Sequence, residues 1–188
     1  TSAQIAQLSN PDLCPLDPNN PNLVNGGLRN IARVDAEGVS SGIDVFDEDP
    51  ACIKCVCIDL IKEVSNDGLT WHDANDPQCS DAPGTLDPAY YRLTIKNCGT
   101  EELTNLVIND PVLGITNFPF GSNLPAGGPD IILTSAQIAQ LSNPDLCPLD
   151  PDNPNVVNGG LRNIARVDAE GVSSGIDVFD EDPACIKC

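Results

Sequence analysis

The run Leu161-Arg-Asn-Ile-Ala-Arg-Val-Asp168 places Leu161, Asn163, Ala165 and Val167 on one phase and Arg162, Ile164, Arg166 and Asp168 on the other. Successive side chains of a strand point to opposite faces, so this period of two is the pattern of a β-strand with one face turned to a core. Ile176 and Val178 then alternate against Asp177 and Phe179. The same run occurs earlier, from Leu28 to Asp35. Moving outward from it, residues 134–188 reproduce residues 1–55 with two changes, Asn19 becoming Asp152 and Leu23 becoming Val156, an offset of 133 residues. Solenoid repeats run about 20 to 50 residues, so a period of this length is a whole domain. Residues 56–188 hold one full period and 1–55 the C-terminal part of a preceding repeat. The strand-like residues Ile31, Val34, Val39, Ile43 and Val45 of that earlier part need the strands of their own unit to cover them, which predicts a polymer continuing in both directions.

The rest of the period reads the same way. Ile58, Leu60, Lys62 and Val64 alternate with Asp59, Ile61 and Glu63, up to the turn Ser65-Asn66-Asp67-Gly68. A long polar loop runs from Gly68 to about Pro88. Tyr91, Leu93 and Ile95 alternate with Arg92, Thr94 and Lys96 up to Asn97-Cys98-Gly99, and Leu106 and Ile108 alternate after it, which predicts a hairpin-like pair. Asp110-Pro111 ends that strand. Thr134 to Leu141 fits one helical turn, and Asn143 to Asn158 is a Pro/Asp/Asn loop. Short alternating strands, Gly/Pro turns and scarcely any helix predict an all-β sandwich spanning about 58–183.

Residues 56–188 carry 20 Asp and Glu against 6 Lys and Arg, a formal charge of −14. That balance argues against nucleic acid or an anionic membrane surface as partner and favours cations as counter-charge, calcium first; with no apolar run of membrane-spanning length, no membrane insertion is expected. Hydrophobic residues make up 40% of the chain and alternate in strand-like runs, which a disordered acidic tail would lack.

Each period has six cysteines, Cys57, Cys79, Cys98, Cys147, Cys185 and Cys188, with Cys14, Cys52 and Cys55 in the earlier copy. An even count without a nucleotide-binding motif reads as disulfides in an oxidising compartment, with fifteen pairings open. Thiolate metal sites add a second CxxC or histidines beside the first, whereas His72 is the one histidine of the chain. Neither CxxC is followed by the histidine that haem attachment needs. Cys55 and Cys57 fall on one face of an extended strand and are poorly placed to bond each other. Each should find a partner elsewhere, and at least one bridge should span the boundary between units.

The segments Tyr91-Arg-Leu-Thr-Ile-Lys-Asn97 through Gly99, Leu103-Thr-Asn-Leu-Val-Ile-Asn-Asp110, Leu124-Pro-Ala-Gly127 and Asn163-Ile-Ala-Arg-Val167 resemble, in that order, the DUF11-type immunoglobulin-like repeats of prokaryotic surface proteins. Gly68-Leu-Thr-Trp71-His-Asp73-Ala-Asn75-Asp76 and Asp180-Glu-Asp182-Pro183 are similar to segments near the start and end of such repeats. The resemblance covers about Ile58 to Pro183. It implies an immunoglobulin-like β-sandwich repeated in tandem in an extracellular surface or fibre protein, with calcium sites in some relatives. The cysteines and the loops at 73–88 and 134–158 depart from the pattern, so loop details do not carry over.

Calcium takes six to eight oxygen ligands at flexible spacing. Asp67, Asp73, Asn75 and Asp76 supply several within ten residues. A second candidate is the end of each unit, Asp47-Glu48-Asp49 and, in the later copy, Asp180 and Asp182, where a shared ion would stiffen the junction. A third is Asp150 with Asp152, replaced by Asn19 in the earlier copy. No nucleophile sits beside a plausible base, so no catalytic residues are expected. The function expected is a structural repeat of a fibre or stalk whose partners are neighbouring identical repeats. The alternative is an adhesin module gripping carbohydrate or protein through its loops, with Trp71, Tyr90 and Phe118 as contact candidates. Lys62 and Asn163 both fall on inward phases. Surface-protein sandwiches sometimes join such a pair by an isopeptide bond, a chemistry that also needs a buried carboxylate, which the sequence reading does not identify.

Overall fold

A computed structural model of the chain describes residues 23–24, 27–85, 88–143 and 149–188. Cys14, Asn19 and Cys147 lie outside the described residues. The elements are almost all strands: β1 (Leu23–Val24), β2 (Gly27–Glu37), β3 (Asp44–Ile53), β4 (Ile58–Ser65), β5 (Ala89–Asn97), β6 (Leu103–Asp110), β7 (Ile115–Pro119), β8 (Ile131–Leu133), β9 (Ser142–Asn143), β10 (Val156–Val157), β11 (Gly160–Gly171) and β12 (Asp177–Lys187). The helical turn expected over Thr134–Leu141 reduces to a 3₁₀ turn at Ala139–Leu141.

Among the described residues all strand pairs are antiparallel and form three sheets. β4, β5 and β8 make one, with β9 pairing the start of β5. β12, β11, β6 and β7 make the second, with β10 on the start of β11. The inward residues of these two sheets share one core: Leu60, Val64, Tyr91, Leu93 and Ile95 from the first, and Leu106, Ile108, Ala165, Val167 and Ile186 from the second. Alternation is therefore realised as read. Lys62 and Asn163 point into this core and are fully buried. β12 runs past Pro183 to Lys187 with Ala184, Cys185 and Ile186 buried, so the sheet region ends later than about 183.

The pair expected from β5 and β6 is not a hairpin. β5 pairs with β4 and β8, while β6 pairs with β11 and β7, so residues 98–102 carry the chain from one sheet to the other. Period-two alternation fixes which face a strand buries and leaves its partner open. The crossover is pinned by the Cys57–Cys98 disulfide and by the Asn97 carboxamide, which donates to the carbonyls of Glu101 (2.7 Å) and Leu124 (2.9 Å).

The third sheet is the earlier copy alone. β2 pairs with β3 from Leu28↔Ile53 to Glu37↔Asp44, the register that β11 and β12 keep from Leu161↔Ile186 to Glu170↔Asp177. Identical sequence forms the same hairpin twice, but among the described residues no second sheet lies over β2 and β3. Val34 is 65% exposed where its counterpart Val167 is 0%, and Ile53 is 49% exposed where Ile186 is 0%.

Candidate functional site

Two places concentrate polar chemistry: the edge where β4 meets β12, and the core beneath it. β4 and β12 are the facing edges of two different sheets. An open edge carries unpaired N–H groups. Here acidic side chains of β12 take them: the Leu60 N–H donates to Asp180 Oδ2 (2.8 Å) and the Lys62 N–H to Asp182 Oδ2 (2.6 Å). Farther along β12, the Cys185 N–H donates to the Ala74 carbonyl (2.7 Å) and the Lys187 N–H to that of Pro83 (2.9 Å). The long polar loop thus continues the seal, and the Cys79–Cys185 disulfide locks it to β12.

This geometry gives the expected calcium ligands individual places. Asp180 and Asp182 cap the β4 edge. Burial pushes the Asp182 carboxyl up to about 6, opposed by the Lys62 N–H and reinforced by the nearby charges of Asp73 and Asp180. Asp73 from the loop and the two β12 carboxylates are thus within electrostatic reach of one another. Asp67 is occupied in its turn: Oδ1 accepts from the N–H groups of Thr70 (2.7 Å) and Leu69 (2.8 Å), which hold its carboxyl well below the usual range. Asp76 accepts from the N–H groups of Gln78 and Ser80, shaping the turn that presents Cys79. Asn75 is exposed. Asp150 accepts from the Asp152 N–H, a local turn. Asp47, Glu48 and Asp49 stand exposed on β3, Glu48 paired with Arg33 at 3.3 Å. Among the described residues, no three or more His, Cys, Asp or Glu side chains are gathered as a metal-ligand set.

Beneath this edge, the ammonium group of Lys62 meets Asp110 Oδ2 at 2.5 Å with both side chains fully buried. The same Oδ2 accepts from Asn163 Nδ2 at 3.2 Å, while Asp110 Oδ1 accepts from the Leu113 N–H at 3.1 Å. The Asp-Pro pair explains this last contact. Asp110 ends β6 and caps the 3₁₀ turn Pro111–Leu113, which holds its carboxylate fixed. Burial lowers the Lys62 pKa to about 8, against the attraction of Asp110. The Tyr91 ring lies 5.0 Å from the lysine nitrogen. The buried carboxylate escaped the sequence reading, although Asp110 continues the inward phase of Leu106 and Ile108. Its position before proline reads as a strand stop and hides that phase.

At the junction, Cys55 is buried against the crossover: the Thr100 N–H donates to its carbonyl (2.8 Å), and its own N–H donates to Thr100 Oγ1 (2.9 Å). A side chain at position 99 would collide with the Cys55 carbonyl and the Cys57 nitrogen, so glycine is required there by close approach. The two bridges Cys57–Cys98 and Cys79–Cys185 both lie within 56–188 and do not cross the boundary. Cys55 and Cys188 are disulfide-bonded as well, and Cys52 is free and exposed. The disulfides point to an oxidising environment. Of the aromatic contact candidates, Trp71 is half-buried beneath Arg92, whose guanidinium lies 4.6 Å from the ring, Tyr90 is half-buried, and Phe118 packs against the core. Among the described residues no helix is long and apolar enough to cross a membrane.

No family model, no curated protein and no solved structure matches the chain.

Proposed function

We propose that the chain is a segment of a tandem array of immunoglobulin-like β-sandwich domains, similar to DUF11-type repeats, that builds an extracellular fibre or surface stalk and serves as structure. The observation that carries this reading is the pair of identical hairpins, one buried and one bare. A hairpin alone is marginally stable in water, and burying a Val or Ile side chain contributes about 1.5–3 kcal/mol. The exposed faces of β2 and β3 therefore call for the cover that β11 and β12 receive, namely the equivalents of β4 and β6 from another copy. Free Cys52 supports the same reading, because its counterpart Cys185 is bonded to Cys79, and the Cys79 equivalent of a preceding unit would be its partner. The Cys55–Thr100 contacts and the glycine at 99 leave little room for a hinge between units. Calcium is the counter-charge within this reading, with the repulsion among Asp73, Asp180 and Asp182 as the feature a divalent ion would relieve.

The test is a longer chain in which residues 56–133 precede Thr1, giving two complete periods. Hydrogen exchange at the amides of β2 and β3 should slow to match β11 and β12, and Cys52 should stop reacting with thiol reagents. A hairpin that stays unprotected in the longer chain would end the array reading.

A further inference from the structure

A fully buried lysine is rare, and this one is held against two groups with complementary chemistry. Lys62 on β4, Asp110 at the end of β6 and Asn163 on β11 come from both sheets and converge on a single oxygen, Asp110 Oδ2, at 2.5 Å from the lysine nitrogen and 3.2 Å from the carboxamide nitrogen. Asn163 Oδ1 and the Tyr91 hydroxyl are buried without a hydrogen-bond partner among the described residues, and the two side chains lie close enough for Asn163 to act on the tyrosine's titration. Buried polar groups are nearly always satisfied, so an unpartnered carboxamide oxygen in the core asks for a reason.

We propose that Lys62 and Asn163 become joined by an amide bond between the two sheets, formed by the protein itself with Asp110 as the proton shuttle. An ammonium group is no nucleophile; it must first lose a proton. Desolvation favours the neutral amine, and Asp110 Oδ2 is in place to take that proton. The free amine Nζ attacks Asn163 Cγ, and negative charge develops on Oδ1, toward the Tyr91 side, where a hydroxyl donor stands unused. Asp110 returns its proton to Nδ2, which is already hydrogen-bonded to the same oxygen. The Cγ–Nδ2 bond breaks and ammonia leaves. One C–N bond forms and one C–N bond breaks; the Lys62 nitrogen gives up two protons in all, the first returned by Asp110 to the leaving Nδ2 and the second passed through the same carboxylate to the departing ammonia, which leaves as ammonium, and no oxidant or co-reactant is required. The attacking nitrogen and the leaving nitrogen both touch one carboxylate oxygen anchored through its other oxygen to the Leu113 N–H, so the reacting groups are held together by folding alone. The bond would tie the first strand of the domain to its penultimate long strand and carry tension past everything between them.

The chain contains its own control. Asn30 is the counterpart of Asn163 but stands exposed on β2 instead of buried in a core, so one bond should form and not two. The experiment is intact mass of the folded, then reduced and denatured chain: it should be lighter than its sequence by about 17 Da, one ammonia. A tryptic digest should give a branched peptide joining residues 55–92 to Asn163–Arg166, uncleaved after Lys62. Asp110→Asn and Asn163→Ala should each restore the full mass. Should those variants fail to fold, the native chain alone decides the matter. Full sequence mass overturns the proposal, and so does a loss of about 17 Da that maps to cyclised asparagine at Asn25-Gly26 or Asn158-Gly159.

Discussion

The hairpins β2–β3 and β11–β12 share a sequence and a register, and they also share their outer faces. Arg33 pairs with Asp35 and Glu48 and lies 4.2 Å over the Phe46 ring, as Arg166 pairs with Asp168 and Glu181 and lies 3.8 Å over Phe179. Only the inner faces differ, and what differs there is supplied entirely from outside the hairpin: β6 along one edge, the β4 sheet across the face and Cys79 at the end. Local sequence thus suffices to pair the two strands. Their burial, the disulfide and the capping of β4 by Asp180 and Asp182 are tertiary. Each substitution made at both copies therefore separates the two contributions.

The largest expected difference comes from the inward isoleucine near the end of the hairpin. Ile186→Ala should destabilise the domain by about 2–5 kcal/mol, since it empties a fully buried site. Ile53→Ala, the same change in the same local sequence, should stay within about 0.5 kcal/mol. Urea unfolding of the two variants measures both. Comparable losses would mean that the earlier hairpin is covered in solution by another molecule.

The cysteines give the next effect. Replacing Cys79 and Cys185 together by alanine should cost about 2–4 kcal/mol by freeing the long loop in the unfolded state. Cys52→Ala should leave unfolding unchanged. Alkylation without denaturant should label Cys52 and spare Cys185, read by peptide mass. Protection of Cys52 in this chain would show that it has found a partner, and the contrast between the copies would fail.

How much of this was open to sequence reading divides along the same line. The inward phases of β4, β5, β6 and β11 were legible, and with them the burial of Lys62 and Asn163, because period two is a property of each strand. The turn at Ser65–Gly68 was legible too, since Asp67 and Gly68 act locally, Gly68 at φ 70°. Strand partnership was not, so β5 and β6 looked like a hairpin and proved to lie in opposite sheets. The capping of β4 by Asp180 and Asp182 was not legible, because nothing local reveals that β4 would present its N–H groups to them. Asp110 combined both problems: its phase was readable, its proline neighbour suggested an ending, and only the convergence of three strands makes it the centre of a buried cluster.

The smallest effect concerns one of those carboxylates. Asp182 and Asp49 are counterparts, but only Asp182 is partly buried beside Asp73 and Asp180, and its carboxyl is pushed up to about 6. A carboxyl whose folded pKa is raised binds its proton more tightly in the folded than in the unfolded state. Its stabilising contribution is fully present below the ordinary carboxylate pKa and is lost as pH rises through about 6. Stability should therefore be greater at pH 5 than at pH 7, by on the order of 1 kcal/mol after allowing for solvent screening of a half-exposed group. Asp182→Asn keeps an acceptor for the Lys62 N–H and removes the charge, so it should flatten this difference, while Asp49→Asn should leave it intact. Millimolar calcium at pH 7 should reproduce the gain that acid gives, because a cation beside three carboxylates removes the same repulsion. Thermal unfolding of the native chain and the two variants, at both pH values and with calcium or chelator, measures all of this. If calcium and chelator give the same melting temperature, calcium drops out of the proposed function, and if Asp182→Asn keeps the native pH dependence, the charge crowding at this edge is not what the domain works against.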